Sequence, residues 1–302
     1  MMARRLHVLS VLALAAGLAA CGRMEQTARA RAGDGAVIYQ STILTMDPRR
    51  PAAEALIVKD GAVLDLGSID DLVQAYPGAS FDERFLRRTL MPAFVDVRLP
   101  ANALGVIELP CQGARLSEDI VSAGADGAPV RIVASDPRAM SAAAEALARI
   151  PAGAAMGRVS VEARGAGTAA AGRAISQSGA ALILSGDPAP EACVRTTPGD
   201  ETIIDGAPVL SGRVALAPPA GDDNFLEAAG SFLREGAGVR LSPQDALEAV
   251  TADAAFALGL EAESGVIAPG RRARFSVLDR NPLATPGEAW GAIRLESFAA
   301  AE

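Results

Sequence analysis

The chain has 302 residues, a formal net charge of -8 and a pI near 4.9; half of it is hydrophobic, 21% is charged and 4% is aromatic. That length holds one large domain or two modest ones, and 30 Gly with 19 Pro are too few for a collagen-like or wholly disordered chain. The acidic balance argues against a nucleic-acid partner, which needs a basic face to displace counterions.

Arg4 and Arg5 form a short basic start, and Leu6 to Ala20 is mostly apolar, broken by His7, Ser10 and Gly17. About fifteen residues is short of the ~20 that a spanning helix needs, so residues 1–20 read as a secretory signal. The run ends Leu18-Ala19-Ala20-Cys21-Gly22, which resembles a bacterial lipobox. That resemblance implies lipidation of Cys21, export and a membrane anchor on the periplasmic side. Gly22 after the Cys points to the outer membrane rather than the inner. An ordinary signal peptide with an incidental Cys is the other reading. More than one acyl chain gives durable anchoring, whereas a single chain is marginal. Cleavage before Cys21 leaves 282 residues at a net charge of -10 and removes His7, the only His of the chain. Residues 21–35, including Met24 to Asp34, are polar and small and read as a tether.

From Ala36 the elements follow in order. Ala36 to Met46 is β-branched and apolar, a strand. Ala55 to Leu66 carries two apolar runs around Asp60-Gly61, a hairpin signal because both positions tolerate positive φ. Ser68 with Asp71 resembles a capping box opening a helix to Tyr76. Thr89 to Arg98 reads as a strand. Beyond it come a strand at Val130 to Ala134, a helix from Asp136-Pro137 to about Ile150, a strand at Arg158 to Ala163 and a helix at Thr168 to Gln177. Strands at Ala181 to Leu184 and Val214 to Ala217 follow, and Asn224 caps a helix to Glu235. This alternation implies βα units around a parallel sheet. Ser242 starts a helix to Asp253 or beyond. Gly265 to Ile267, the Pro269-Gly270 turn and Ala273 to Asp279 read as a hairpin, with a last strand over Ile293 to Phe298.

Two segments together resemble the amidohydrolase superfamily: Thr42 to Asp96, with TILTMDP, AEALIVKDGAVLDLGS and LMPAFVD, and Leu241 to Leu283, with LSPQDALEAVTADAAFALGL and SGVIAPGRRARFSVLDRNPL. The resemblance implies an α/β fold in which both chain ends build a small composite β-sandwich beside a (β/α) barrel. The parts would be residues 36–98 and 241–302 for the sandwich, the former including the first barrel strand, and 99–240 for the barrel. A full barrel takes ~250 residues and rarely fewer than ~200. Only 142 are present here, and about four βα units are legible. The barrel is therefore expected to be truncated to a partial sheet, or completed by a homo-oligomer.

The family hydrolyses non-peptide C–N bonds with zinc or another divalent metal held by His residues and a carboxylated Lys. Its first barrel strand ends Pro-Gly-Phe-(Ile/Val)-Asp-x-His-x-His. Here the segment is Pro92-Ala93-Phe94-Val95-Asp96-Val97-Arg98-Leu99-Pro100, with Arg98 and Pro100 at the His positions. A cationic guanidinium repels a metal and Pro offers no side-chain donor. Lys59, the only Lys, lies in the first hairpin. No cofactor is expected, and the leading expectation is a catalytically degenerate lipoprotein that binds a small ligand or a protein partner. The alternative is a divergent C–N hydrolase using carboxylates, with a metal at Asp96, Asp187 and Asp222.

Asp187, in LILSGDPAP, resembles the family's last-strand proton shuttle, and Asp222 and Asp223 are rivals for it. Turn and helix-cap chemistry is the competing role for each. Arg98 is a candidate either to pair with one of these carboxylates or, beside Asp96, to hold an anionic ligand; a solvated Arg98 and a structural Asp96 at the strand end are the competing readings. Cys111 and Cys193 are an even pair after Cys21. In an oxidising compartment they would close a loop of 82 residues, worth about 4.5 kcal/mol in the chain-entropy model; two buried free thiols are the other reading.

Overall fold

The computed structural model describes residues 33–99, 104–111, 115–151, 154, 158–163, 169–185, 203–204, 207–208, 213–218, 222–233 and 241–300. Cys21, Asp187, Cys193 and the expected leader and tether through residue 32 lie outside the described residues.

The first layer is a seven-stranded sheet made from both ends of the chain. Strands β1 (Val37–Leu44), β2 (Ala52–Lys59) and β3 (Ala62–Gly67) form an antiparallel meander. Asp60 at φ 50° and Gly61 at φ 74° make the tight turn that the Asp-Gly pair predicts. Helix α1 (Ile69–Ala75) begins at Ser68, whose hydroxyl accepts the Asp71 amide and donates to the Asp71 carboxylate. Strands β4 (Ser80–Asp82) and β5 (Thr89–Pro92) then run parallel to β1. From the far end of the chain, β13 (Arg274–Leu278) joins β5 antiparallel, and β14 (Leu295–Ala299) joins β13. Backbone bonds from Val63 N to Arg271 O and from Ala273 N to Gly61 O tie the β3 edge to the chain entering β13, so the sheet curls back on itself. Tyr39, Phe85, Phe275 and Phe298 pack within it, ring centroids 5.0–5.9 Å apart in successive pairs.

The second layer is a five-stranded parallel sheet: β6 (Ile107–Pro110), β7 (Val130–Ala134), β8 (Val159–Ala163), β9 (Ala181–Ser185) and β12 (Val214–Ala217), paired in that order. A two-residue ladder of β10 (Ile203–Ile204) and β11 (Ala207–Pro208) lies between β9 and β12 in the chain. Helices α2 (Leu116–Gly124), α3 (Pro137–Arg149), α4 (Ala169–Gln177) and α5 (Phe225–Ser231) connect or follow the strands. Asp136 caps α3 by accepting from the Arg138 and Ala139 amides, and Asn224 caps α5 through Glu227 N. One face of the sheet, carrying Ile132, Val161, Leu182 and Leu216, packs on these helices and on the fully buried Trp290.

The opposite face would line the interior of a closed barrel. Here it carries Arg131, Ser160, Glu162, Ala181, Ile183, Ala215 and Ala217, by the alternation along each strand. A parallel sheet needs both faces covered. Val95, Val97 and Val106 cover this one, together with helix α7 (Ala252–Ala257), which packs on β9 and β12 through Ala254 and Ala255. The small side chains of Ala181, Ala215 and Ala217 leave room for that helix. The chain thus fills its shortened barrel with its own helix instead of with the missing strands.

The sequence leaves β6 and α2, which carry weak patterns, unassigned at the edge of the parallel sheet. Three expectations are corrected. The strand read over Thr89–Arg98 stops at Pro92, where Pro lacks a donor; Val95 N then bonds Val250 O, and Asp96 draws Arg98 N into an Asx turn. The helix from Ser242 breaks into α6 (Pro243–Ala249) and α7. At the break, buried Thr251 donates its hydroxyl to Leu247 O. Gly265 to Ile267 forms no strand; Ile267 N bonds Thr45 O instead.

Candidate functional site

Enzymes on parallel α/β sheets place their chemistry at the C-terminal ends of the strands. Asp222 and Asp223 follow β12 at that end. The turn after β5 brings Arg98 to meet them. Arg98 forms a bidentate pair with Asp96, Nε to Oδ1 at 2.9 Å and Nη2 to Oδ2 at 2.8 Å. Its Nη2 also donates to Asp223 Oδ1 at 3.0 Å, and Nη1 donates to the Asp222 carbonyl at 2.8 Å. The guanidinium therefore cross-links the turn after β5 to the loop before α5. Burial raises the Asp96 carboxyl, but the Arg98 hydrogen bonds and charge outweigh it and hold the group below its usual range. The same contacts, led by the Asp96 hydrogen bond, lift the guanidinium above its ordinary value.

Beneath this cluster lies a buried charge. Arg131 on β7 is 3% exposed; its Nη2 donates to Val97 O at 3.1 Å and its Nη1 stands 3.7 Å from Glu162 Oε2 on β8. Its Nε has no partner among the described residues. A buried guanidinium is tolerated only where it is paired and hydrogen-bonded, and Arg131 meets that condition by gripping the backbone that presents Arg98. The sequence reading passed over Arg131 and Glu162. A charged residue alternating with apolar ones in the short strands Val130–Ala134 and Val159–Ala163 is the signal that marks them.

Asp96, Arg98, Asp222 and Asp223 are thus brought together. Asp222 contributes its carbonyl to Arg98 and its carboxylate to Asn224 N, a turn-capping role. Cys111 is a buried free thiol whose Sγ donates to Ala139 O; its pairing with Cys193 falls outside the described residues.

The donors here do not suit a divalent ion. Both Asp96 oxygens are spent on Arg98, the centre of the cluster is itself cationic, and no three His, Cys, Asp or Glu residues among those described gather as a ligand set. No step is therefore derived through a metal.

A second concentration of charge lies at the other end of the parallel sheet, in a cleft of ≈ 840 Å³ between the N-terminal ends of β8 and β12, helix α7 and the turn after β1. It contains Arg158 and Arg213 over the Phe256 ring, at 5.6 and 4.1 Å from its centroid. Asp253 lines it too, with a carboxyl pushed up to about 6 chiefly by burial. No motif in the sequence signals this cleft, because its residues are scattered from Met46 to Arg271.

Many solved structures resemble the fold, the following three among them. An amidohydrolase from Thermotoga maritima MSB8 aligns at TM-score 0.54 and 12% identity, over 87% of this chain and 98% of that one. An adenosine deaminase from Xanthomonas campestris with bound Zn aligns at 0.56 and 14%, over 85% and 88%. An uncharacterized metal-dependent hydrolase from Pyrococcus furiosus aligns at 0.53 and 10%, over 82% and 100%. No curated protein matches the sequence. Residues 105–299, well over half of the chain, match the amidohydrolase family, and with the composite sheet and the shortened parallel layer in place, the chain belongs to that family.

Proposed function

We propose that this chain is a lipid-anchored amidohydrolase-fold protein that no longer hydrolyses through a metal and instead binds a small ligand or a protein partner. The observation that carries this reading is Arg98, which stands at a family His position and is locked in a bidentate pair with Asp96. A guanidinium so held neither ligates a metal nor polarises a water. Pro100, at the other His position of that segment, offers no side-chain donor, and the carboxylated Lys has no counterpart in a chain whose only His is His7 and only Lys is Lys59. The anchoring part of the proposal rests on the Leu18–Gly22 motif, with the lipid on Cys21 and the chain facing the periplasm.

Elemental analysis of the detergent-purified full chain, combined with assays on amide, lactam and aminopurine substrates, tests the catalytic part. The expected result is far less than one zinc or manganese per chain and no chelator-sensitive turnover. Stoichiometric metal whose removal abolishes hydrolysis overturns it. Mass spectrometry of the N-terminal peptide tests the anchor: a diacylglyceryl mass on Cys21 supports it, and an unmodified Cys21 in the mature protein refutes it.

A further inference from the structure

The cleft at the N-terminal ends of β8 and β12 is lined by four cationic and four anionic side chains, and their pairing is uneven. Three pairs are closed within the chain. Arg49 chelates Asp47 at 3.1 Å, Arg213 reaches Asp253 at 3.4 Å, and Arg158 pairs with Glu261. One residue of each sign remains. Arg271 has no side-chain partner among the described residues, and Glu248 receives only the neutral Gln244 amide at 2.8 Å. Both line the same cleft and both are half-buried. They do not pair with each other, so their charged atoms stand beyond 4.0 Å.

We propose that this cleft binds a small zwitterion with separated charges, its carboxylate on Arg271, its ammonium on Glu248 and an apolar body between them. A simple anion would satisfy Arg271 and leave Glu248 facing like charge; a simple cation would do the reverse. A ligand carrying both charges satisfies both at once, and it keeps the charge of the cleft balanced. Val266 and Ala252, half-buried on the wall, give the apolar body a surface. The stacking of Arg158 and Arg213 on Phe256 holds two further guanidinium groups in fixed orientation. Each spends few of its N–H groups on its acid, so donors remain for a carbonyl or hydroxyl of the ligand. A cleft of ≈ 840 Å³ falls within the size range of small-molecule sites. The proposal does not depend on the loss of metal chemistry, since the cleft and Arg98 lie at opposite ends of the sheet.

The test uses 6-aminohexanoate against its two singly charged relatives, hexanoate and hexylamine, with binding to the full chain followed by NMR line broadening of the probe. Saturable binding of 6-aminohexanoate at least tenfold tighter than either relative is expected. Glu248→Gln then removes the preference over hexanoate, and Arg271→Gln removes the preference over hexylamine, each by about tenfold. Equal binding of the three probes, no saturable binding of 6-aminohexanoate, or variants that leave both preferences intact overturns the proposal. Glu145→Gln, at an exposed position of α3 outside the cleft, serves as the independent control, and its binding is expected to match that of the parent chain; a loss there overturns the assignment to this cleft.

Discussion

Asp253 gives the sharpest test of the electrostatics. It sits in the first turn of α7 with its side chain 14% exposed, accepting Val214 N at 3.0 Å and facing Arg213 at 3.4 Å. Burial raises its carboxyl, the Val214 amide and Arg213 lower it, and the nearby charges of Glu248 and Asp245 raise it again; the result moves from 3.8 to about 6. The folded chain therefore holds this proton more tightly than the unfolded chain does. Its stabilising contribution is full below 3.8 and is lost as pH rises through about 6. At 1.36 kcal/mol per pH unit the gap corresponds to about 3 kcal/mol. Asp253→Asn keeps the shape and an acceptor for Val214 N but cannot ionise. Urea unfolding of parent and variant between pH 4 and 7.5, at fixed ionic strength, reads the difference. The variant is expected to gain about 2.5 kcal/mol on the parent across that range, with most of the change between pH 4 and 6. Two stability curves that stay parallel would refute the claim that burial dominates at this carboxyl.

Three further outcomes follow from the packing and the charge pairs. Arg98→Ala leaves Asp96 half-buried without its counter-ion and is expected to cost about 1–3 kcal/mol in thermal unfolding, while Arg98→Lys recovers only part of the loss because an ammonium cannot form the bidentate fork. An Arg98→Ala melt unchanged from the parent would show that the cross-link contributes nothing. Trp290→Ala is expected to cost about 3–5 kcal/mol, because the side chain is fully buried and its indole N–H donates to Thr285 O at 3.0 Å. A loss below about 1 kcal/mol would remove Trp290 from the shared core. Burial pushes the Cys111 thiol up, so alkylation at pH 8 is expected to be slow when folded and fast in urea; equal rates would contradict its burial.

Much of the scaffold was legible in the chain itself. The Asp60-Gly61 turn, the Ser68, Asp136 and Asn224 caps and the strands at Val130, Val159, Ala181 and Val214 are local features. Each is fixed by side-chain and backbone preferences within a few residues, so a linear reading finds them. The resemblance to the amidohydrolase superfamily, and the replacement of its His positions by Arg98 and Pro100, are likewise properties of the sequence alone. Only tertiary structure decided what fills the shortened barrel. That α7 covers the inner face of β9 and β12 depends on small residues brought together from Ala181, Ala215 and Ala254, which no local pattern links. The partners of Arg98 were open in the sequence between solvent, several carboxylates and a ligand; Asp96 is two residues away, but Asp223 is brought in from 125 residues away. The charged cleft at the other end of the sheet was invisible for the same reason: charge pairing depends on separation in space, and its members come from five separate stretches of the chain.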